Sequence, residues 1–282
     1  NWKSQENERN LMEGTLSSNS SPDFLSIAVG ILILAAVCLI ITGLVAYFWK
    51  FIVGFFKFKE REKNSLEFVL LQVTVPKDNE IKIDAAEQLF ATFTSIKKSV
   101  GKIFGRFTPQ PHISFEIVAT HEMIRFYISC HKNHRDLIEK QINGAYPDAE
   151  IKQVPEYNIF SENGQTAYAS MKLKSSDYFP IKTFRDLPTD SLSSVTSALA
   201  KMQPGEGAAI QLIIAPADNK WKDSGKAWLK KEKDPGKPDN PKSPPDAKQI
   251  EAVEGKISRS GFFTTIRIIV SSVSEDSAKA HL

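Results

Sequence analysis

The chain has 282 residues, 41% hydrophobic and 24% charged, enough for two modest globular domains. Its net charge of +3 is too small to point to a nucleic-acid partner. Its two cysteines, Cys38 in an apolar run and Cys130 at a strand end, exclude a disulfide framework.

Residues 1–23 form a net acidic tail, and Phe24 to Trp49 is then free of charge. As a helix that run is roughly 39 Å long, against a hydrocarbon core of ~30 Å, so it spans a bilayer with some tilt. A cleaved signal peptide fits poorly, because its flank would be basic and its apolar core shorter. Tyr47, Phe48 and Trp49 read as an aromatic belt, with Lys50, Lys57 and Lys59 at the headgroups and 51–56 along the interface. The transmembrane and interfacial segment is thus 24–56. Lys50, Lys57, Lys59, Arg61 and Lys63 follow the span, and only Lys3 and Arg9 precede it. The positive-inside rule therefore places the tail outside and the rest of the chain in the cytoplasm.

Residues 66–154 read as a first soluble module. Val69, Leu71, Val73 and Val75 alternate in a strand stopped by Pro76. Asp84 opens a helix, with Glu87 placed for a capping box and Leu89, Phe90, Phe93, Ile96 and Val100 as its buried stripe. Ile113, Phe115 and Ile117 alternate with polar residues, as do Ile124, Phe126, Ile128 and Cys130 with Arg125, Tyr127 and Ser129. Both read as strands with one wet face, joined by a hairpin at Thr120-His121-Glu122. Asn133 is placed to cap a helix carrying Leu137, Ile138 and Ile142, ended by Gly144, and Ala149 to Val154 is a last short strand. The order β-α-β-β-α-β is that of the ferredoxin-like split βαβ.

Residues 165–282 repeat it after a linker from Pro155. Ala169, Met171 and Leu173 alternate as a first strand, and Ser191 opens a helix with Leu192, Val195, Leu199 and Met202. After a turn at Gly205 and Gly207, Ile210, Leu212 and Ile214 repeat Ile113, Phe115 and Ile117. Ile266, Ile268 and Val270 repeat Ile124, Phe126 and Ile128, and the outward arginine recurs as Arg125 and Arg267. An insert at 217–260 separates the two middle strands. It holds a Trp- and Lys-rich segment, a Pro-rich tract that reads as flexible, and a helix over Asp246 to Ser258. Ser274 caps a final helix with Glu275 and Asp276 in its first turn. By the length of the first copy, a turn of helix and an edge strand are still to come at Leu282. The expectation is a longer natural chain, or a strand supplied by another segment. The fold class is α+β: one transmembrane helix and two tandem ferredoxin-like modules, the second with an insertion and truncated, each with its own core and with Phe126 and Ile268 at matched inward positions.

No phosphate-loop, serine-hydrolase or zinc-protease pattern occurs, so no catalytic residue, cofactor site or metal site is assigned. Cys130, His131 and His134 lie close in sequence, but a metal set would need His112 or His121 as well, and His121 is at the opposite end of its strand from Cys130, so two solvated histidines at a strand-to-helix turn is the favoured reading. Lys97, Lys98, Lys102 and Arg106 read as a solvated helix end. One outward tyrosine, Tyr127, is not the aromatic pair of an RNA-reading sheet, so direct nucleic-acid binding is not supported. Trp221 and Trp228 share a helical face among Lys222 and Lys226. These four are candidates for contact with a partner or with lipid, and packing onto the second module's sheet is the favoured alternative.

The segments PHISFEIVATHEMIRFYIS and YPDAEI, and again GEGAAIQLIIAPAD before a Trp-containing helix, carry a resemblance over residues 66–282. The pattern resembles the membrane-anchored N-terminal region of type IV secretion or conjugative DNA-transfer ATPases from uncultured small-genome bacteria. The resemblance implies a non-catalytic anchor and adaptor in the bacterial cytoplasmic membrane. Its partners would be the bilayer and a motor of the FtsK/HerA-like class, beyond Leu282 or on another chain, and a homo-oligomer is compatible with it. The family's phosphate-loop and metal-binding residues have no counterpart here. A structural protein of a pilus or secretion platform is the alternative.

Overall fold

A computed structural model describes residues 24–58, 66–97, 110–233 and 247–282. The chain divides into two units, 1–60 and 61–282.

The first unit contributes α1, Phe24–Phe58, a continuous helix of 35 residues. The stretch FIVGFF holds no proline, and the helix runs on through 51–56, passing Gly54 without ending there. Residues Ile27–Ile52 have a mean hydropathy of 2.9 and none of that stretch is buried within the protein. The helix is therefore long and apolar enough to cross a membrane, and it lacks the polar face of a soluble surface helix.

The second unit is an α+β structure built on one seven-stranded antiparallel sheet. Its strands are β1 (Phe68–Thr74), β2 (Ile113–Thr120), β3 (Ile124–His131), β4 (Glu150–Val154), β5 (Gln165–Ser170), β6 (Gly207–Pro216) and β7 (Phe262–Ser272). Their spatial order is β4-β1-β3-β2-β6-β7-β5. The helices are α2 (Asp84–Thr92), α3 (Arg135–Ala145), α4 (Ser191–Leu199), α5 (Lys220–Lys233), α6 (Ala247–Ser258) and α7 (Glu275–Ala280).

The hairpin at His121-Glu122 forms as expected, closed by the Thr120 amide donating to the Met123 carbonyl at 3.0 Å. The two repeats meet through β2 and β6, paired from Ile113↔Ile214 to Thr120↔Gly207. This pairing overturns the expectation of two separate cores. Ile214 belongs to the cluster of Leu71, Phe93, Ile113, Cys130 and Ile138, and Ala119 of the first repeat belongs to the cluster of Ala167, Leu199, Met202, Ala208, Val270 and Ala278. Sheet continuity forces the sharing, because side chains two apart on neighbouring strands lie on one surface.

Several local expectations are corrected. α2 starts at Asp84 without a capping box, since its N-cap is Ile83. Asp84 and Glu87 instead meet Arg185, at 2.5 and 3.3 Å, and Glu87 also meets Arg259. These exposed pairs tie the second repeat to the first and are worth about 0–1 kcal/mol each. Phe93–Ile96 tighten into a 3-10 turn, and Val100 lies outside the described residues. Asn133 does not cap α3. Its amide donates to His131, and the helix starts after His134 and passes Gly144 to end at Ala145. β5 ends at Ser170, leaving Met171 and Leu173 beyond it and more than half exposed. Ala167 and Ala169 supply its inward face instead, in register with Val270 and Ile268. α4 is capped by Asp190, whose carboxylate accepts from the Leu192 amide, and Ser274 caps α7 as expected.

The surface expected to be wet is partly covered. Tyr127 is 4% exposed, in a cluster with Leu70, Val118, Ile159 and Ala209. The linker after β4 folds back over this face, with Tyr157 stacked on Tyr127 at 5.3 Å between ring centres. At Gly207 an added Cβ would lie 2.7 Å from the Ile159 carbonyl, so only glycine lets the linker pass so close. Phe126, assigned to the core, is 50% exposed on the opposite, helix-covered face.

Candidate functional site

The exposed Phe126 side chain marks the wall of a groove. α2 and α3 cover the sheet on the first-repeat side, and α4 covers it on the other. Between them lies a concavity of about 1050 Å³. Its floor is Phe115, Ile117, Ile124, Ile128, Ile210, Leu212, Ile266 and Ile268, the alternating positions of four adjacent strands. Val73, Phe90, Met123, Phe126, Leu192 and Val195 form its walls, and Gln72, Asn79 and Arg125 are among its few polar neighbours. A groove lined this way recognises apolar side chains or alkyl chains and offers few groups for proton transfer.

The other face of the sheet carries a smaller, polar pocket of about 470 Å³, bordered by Glu116, Ser129, Gln153, Glu156, Tyr157 and Gln211. Glu116 is 6% exposed and accepts from the Tyr157 hydroxyl at 2.6 Å and from Gln211 Nε2 at 3.2 Å. Burial, then the bond to Glu116, pushes the Tyr157 phenol up. This arrangement fixes the linker to the sheet. A phenol held neutral next to a carboxylate is no nucleophile at neutral pH.

The histidine and cysteine group does not form a metal centre. His131 Nε2 lies 2.8 Å from Glu67, whose carboxyl is lowered chiefly by that hydrogen bond and by Lys132. Burial raises the Cys130 thiol to about 11, which leaves it inert as a ligand or nucleophile. Burial lowers His112, whose ring packs 4.9 Å from Phe68. Among the described residues no group of three or more His, Cys, Asp or Glu could hold a metal ion.

The residues singled out around the membrane segment and the insert are placed as follows. Tyr47, Phe48 and Trp49 are exposed along α1, and Lys50 follows them in the helix. The Lys57 side chain and all of Lys59 lie outside the described residues, as do Lys98, Lys102, Arg106 and the Pro-rich tract. Lys97 donates to the Ala217 carbonyl at 3.0 Å. Trp228 is half-buried against Phe179 and Tyr178, at 5.2 and 6.0 Å between ring centres. Trp221 lies against Gly261, where an added Cβ would meet its ring at 2.6 Å, and Lys222 stands 5.6 Å over that ring. Lys226 faces Asp223 at 3.6 Å. Thus both tryptophans pack within the chain, against the loop after β5 and the start of β7 and not on the sheet face. Lys256 of α6 donates to the Asp177 and Phe179 carbonyls, and burial lowers its ammonium.

Sequence reasoning missed the groove, because every strand residue in it reads as core. The available signal was an imbalance: β2, β3, β6 and β7 carry large apolar residues at alternating positions, while the short α4 brings few large residues to cover its share.

No curated protein matches the chain. A family described as a domain of unknown function, DUF8128, matches residues 58–282, the whole second unit and the end of α1, and the chain belongs to that family.

Proposed function

We propose that the chain is the membrane anchor and adaptor region of a type IV secretion or conjugation-type translocation ATPase, non-catalytic by itself. α1 crosses the bacterial cytoplasmic membrane with the N-terminal tail outside, and the unit from residue 61 onward faces the cytoplasm. The single observation that carries the reading is that one chain holds a helix with a 26-residue charge-free apolar run, Phe24 to Trp49, and an α+β unit whose broad concavity is an apolar groove. The first fixes a protein to a bilayer; the second takes an apolar segment of a partner. The basic cluster after the helix supports the orientation. The sequence resemblance supports a motor ATPase as the partner.

The finer fold reading, two copies of a ferredoxin-like βαββαβ unit, belongs to the same proposal. The order β4-β1-β3-β2 and its mirrored, shorter counterpart β6-β7-β5 support it.

A photo-reactive residue at Leu192, on the groove wall, tests the function in cells. The expected product is a single major adduct with an ATPase carrying a phosphate loop. Adducts confined to lipid or to pilin-type subunits would overturn it. A C-terminal reporter active only outside the membrane should stay silent, and strong activity would favour the pilus-platform alternative.

A further inference from the structure

The polar pocket on the face opposite the groove holds a carboxylate without a cation. Glu116 is 6% exposed, yet its bonds come from two neutral donors, the Tyr157 hydroxyl at 2.6 Å and Gln211 Nε2 at 3.2 Å. Burial, then the bond to Glu116, keeps the phenol protonated, so Tyr157 supplies a proton donor and no charge. Buried charges in proteins are ordinarily paired with an opposite charge or bound to a metal. Among the described residues no Lys, Arg or His borders this pocket, and no group of ligating side chains could hold a metal ion.

The cations of the adjoining elements are engaged elsewhere. Arg135 donates to Glu139 and to Gln153, Lys152 meets Glu150, and Lys132 meets Glu67. Arg267 lies in register with Gln211, and Gln211 with Glu116, so Gln211 stands between the exposed arginine and the carboxylate. A second carboxylate, the exposed Glu156, borders the pocket as well.

The hydrogen-bonding groups are also in surplus. A carboxylate has about four acceptor sites. Tyr157 takes one on Oε2 and Gln211 one on Oε1, which leaves about two. Ser129 borders the pocket, and its hydroxyl has no partner among the described residues. Ser114, directly opposite Ser129 in the register, is 7% exposed and its hydroxyl is likewise unpaired. Unsatisfied polar groups in such a setting call for a partner from outside the chain. Phe68 and Leu70 complete the lining with an apolar wall.

We propose that this pocket binds a small free organic amine, whose ammonium donates to Glu116 and Ser129 while its carbon stem lies along Phe68 and Leu70. The three donors of an ammonium match the two open sites on Glu116 and the Ser129 oxygen. A diamine sets its second ammonium at Glu156. The pocket, about 470 Å³, has the size of a small-molecule site. It needs neither a membrane nor a motor, so it fails or holds separately from the proposed function.

Calorimetric titration of the full chain, in uncharged detergent micelles, with butane-1,4-diamine tests this. Saturable one-to-one binding is expected. It should persist in about 1 M salt, where a screening length of ~3 Å removes attraction to surface charges but not a bond inside the pocket. Butane-1,4-diol, equal in length and uncharged, should bind at least tenfold more weakly. Glu116→Gln, with circular dichroism to verify folding, should weaken the diamine at least tenfold. Glu156→Gln, an exposed change, should weaken it about threefold, and it decides the matter if Glu116→Gln does not fold. No saturable binding, loss of binding in high salt, equal affinity for the diol, or an affinity unchanged in either folded variant would each overturn the proposal. So would an acetylated, amidated Gly-Lys-Gly peptide that binds at least tenfold more tightly than the diamine, because the natural source would then be the side chain of a partner protein.

Discussion

Under α2 and α3 the sheet meets Phe93, Ile138 and Ile142, packed on Leu71, Ile113 and Ile128. Under α4 and α7 it meets Leu199, Met202 and Ala278, packed on Ala119, Ala167, Ala208 and Val270. The strands of the two repeats follow one pattern, yet the first core is built of large side chains and the second of small ones. Alanines on both the strands and α7 let that helix lie close to β5 and β7. They also leave little apolar volume to extend over the middle of the sheet. The groove opens there, where the thick layer ends and the thin one begins. Alternation along the strands thus sets the sheet, while residue size on the covering helices decides where it stays open.

The largest effect should come from the thick side. Phe93 is fully buried. Phe93→Ala should cost about 4 kcal/mol, through lost transfer energy and an unfilled cavity. Because β2 and β6 join the repeats and both cores cross that seam, the loss should appear in one unfolding transition. Denaturant titration of the full chain in detergent micelles, followed by hydrogen exchange on both repeats, checks this. Two separate transitions would restore independent modules.

The thin side should respond to the opposite change. Ala208 is 1% exposed and sits opposite Val270. Ala208→Leu should cost about 2 kcal/mol by overpacking, since α4 and α7 must move outward. Stability gained from the added side chain would show that the second core has slack, and that the groove reaches under α7.

A third prediction concerns how α7 is held. Glu206, 7% exposed, accepts from Ser272 at 2.5 Å, Ser277 at 3.1 Å and the Gln203 amide at 2.8 Å, and it faces His281 at 3.4 Å. The Ser272 bond, followed by the Gln203 and Ser277 bonds and the His281 charge, holds its carboxyl below the ordinary 4.5 despite burial. A depressed carboxyl contributes stability above the unfolded value and loses it as pH falls through the folded one. Glu206→Gln should therefore cost about 1.5 kcal/mol at pH 7. The difference from the natural chain should shrink below pH 4.5, where the natural carboxylate takes up its proton. A pH-independent difference would assign the effect to packing alone.

The sequence was most legible where periodicity spanned whole elements. The β2–β3 hairpin, the strands alternating at Ile210, Leu212 and Ile214 and at Ile266, Ile268 and Val270, and the Ser274 cap all follow from local rules. It was least legible where distant segments decide the outcome. Tyr127 reads as wet until Tyr157 arrives from the linker, and Glu87 reads as a cap until Arg185 and Arg259 reach it. β5 was displaced toward Met171 and Leu173 because large residues outweigh alanines in a periodicity reading, although Ala167 and Ala169 face the core. The groove was invisible for the same reason, since a pattern shows which face is apolar and not what covers it.

Phe126→Ala should have the smallest effect, and it separates the two sides most directly. The residue shares its face with Ile128 and lies in register with Val73 and Ile117, so the pattern alone ranks it with Phe93. Half of its surface is exposed, however, and its ring borders the groove instead of filling the core. Truncation then removes only part of a buried phenyl's transfer energy and opens no closed cavity, because solvent already reaches the site. The cost should stay below about 1 kcal/mol. Comparing Phe93→Ala with Phe126→Ala in one denaturant series reads the difference as a gap of about 3 kcal/mol. Equal losses would mean that the groove is closed in solution, with Phe126 packed beneath a cover that brings the two sides of the sheet to the same thickness.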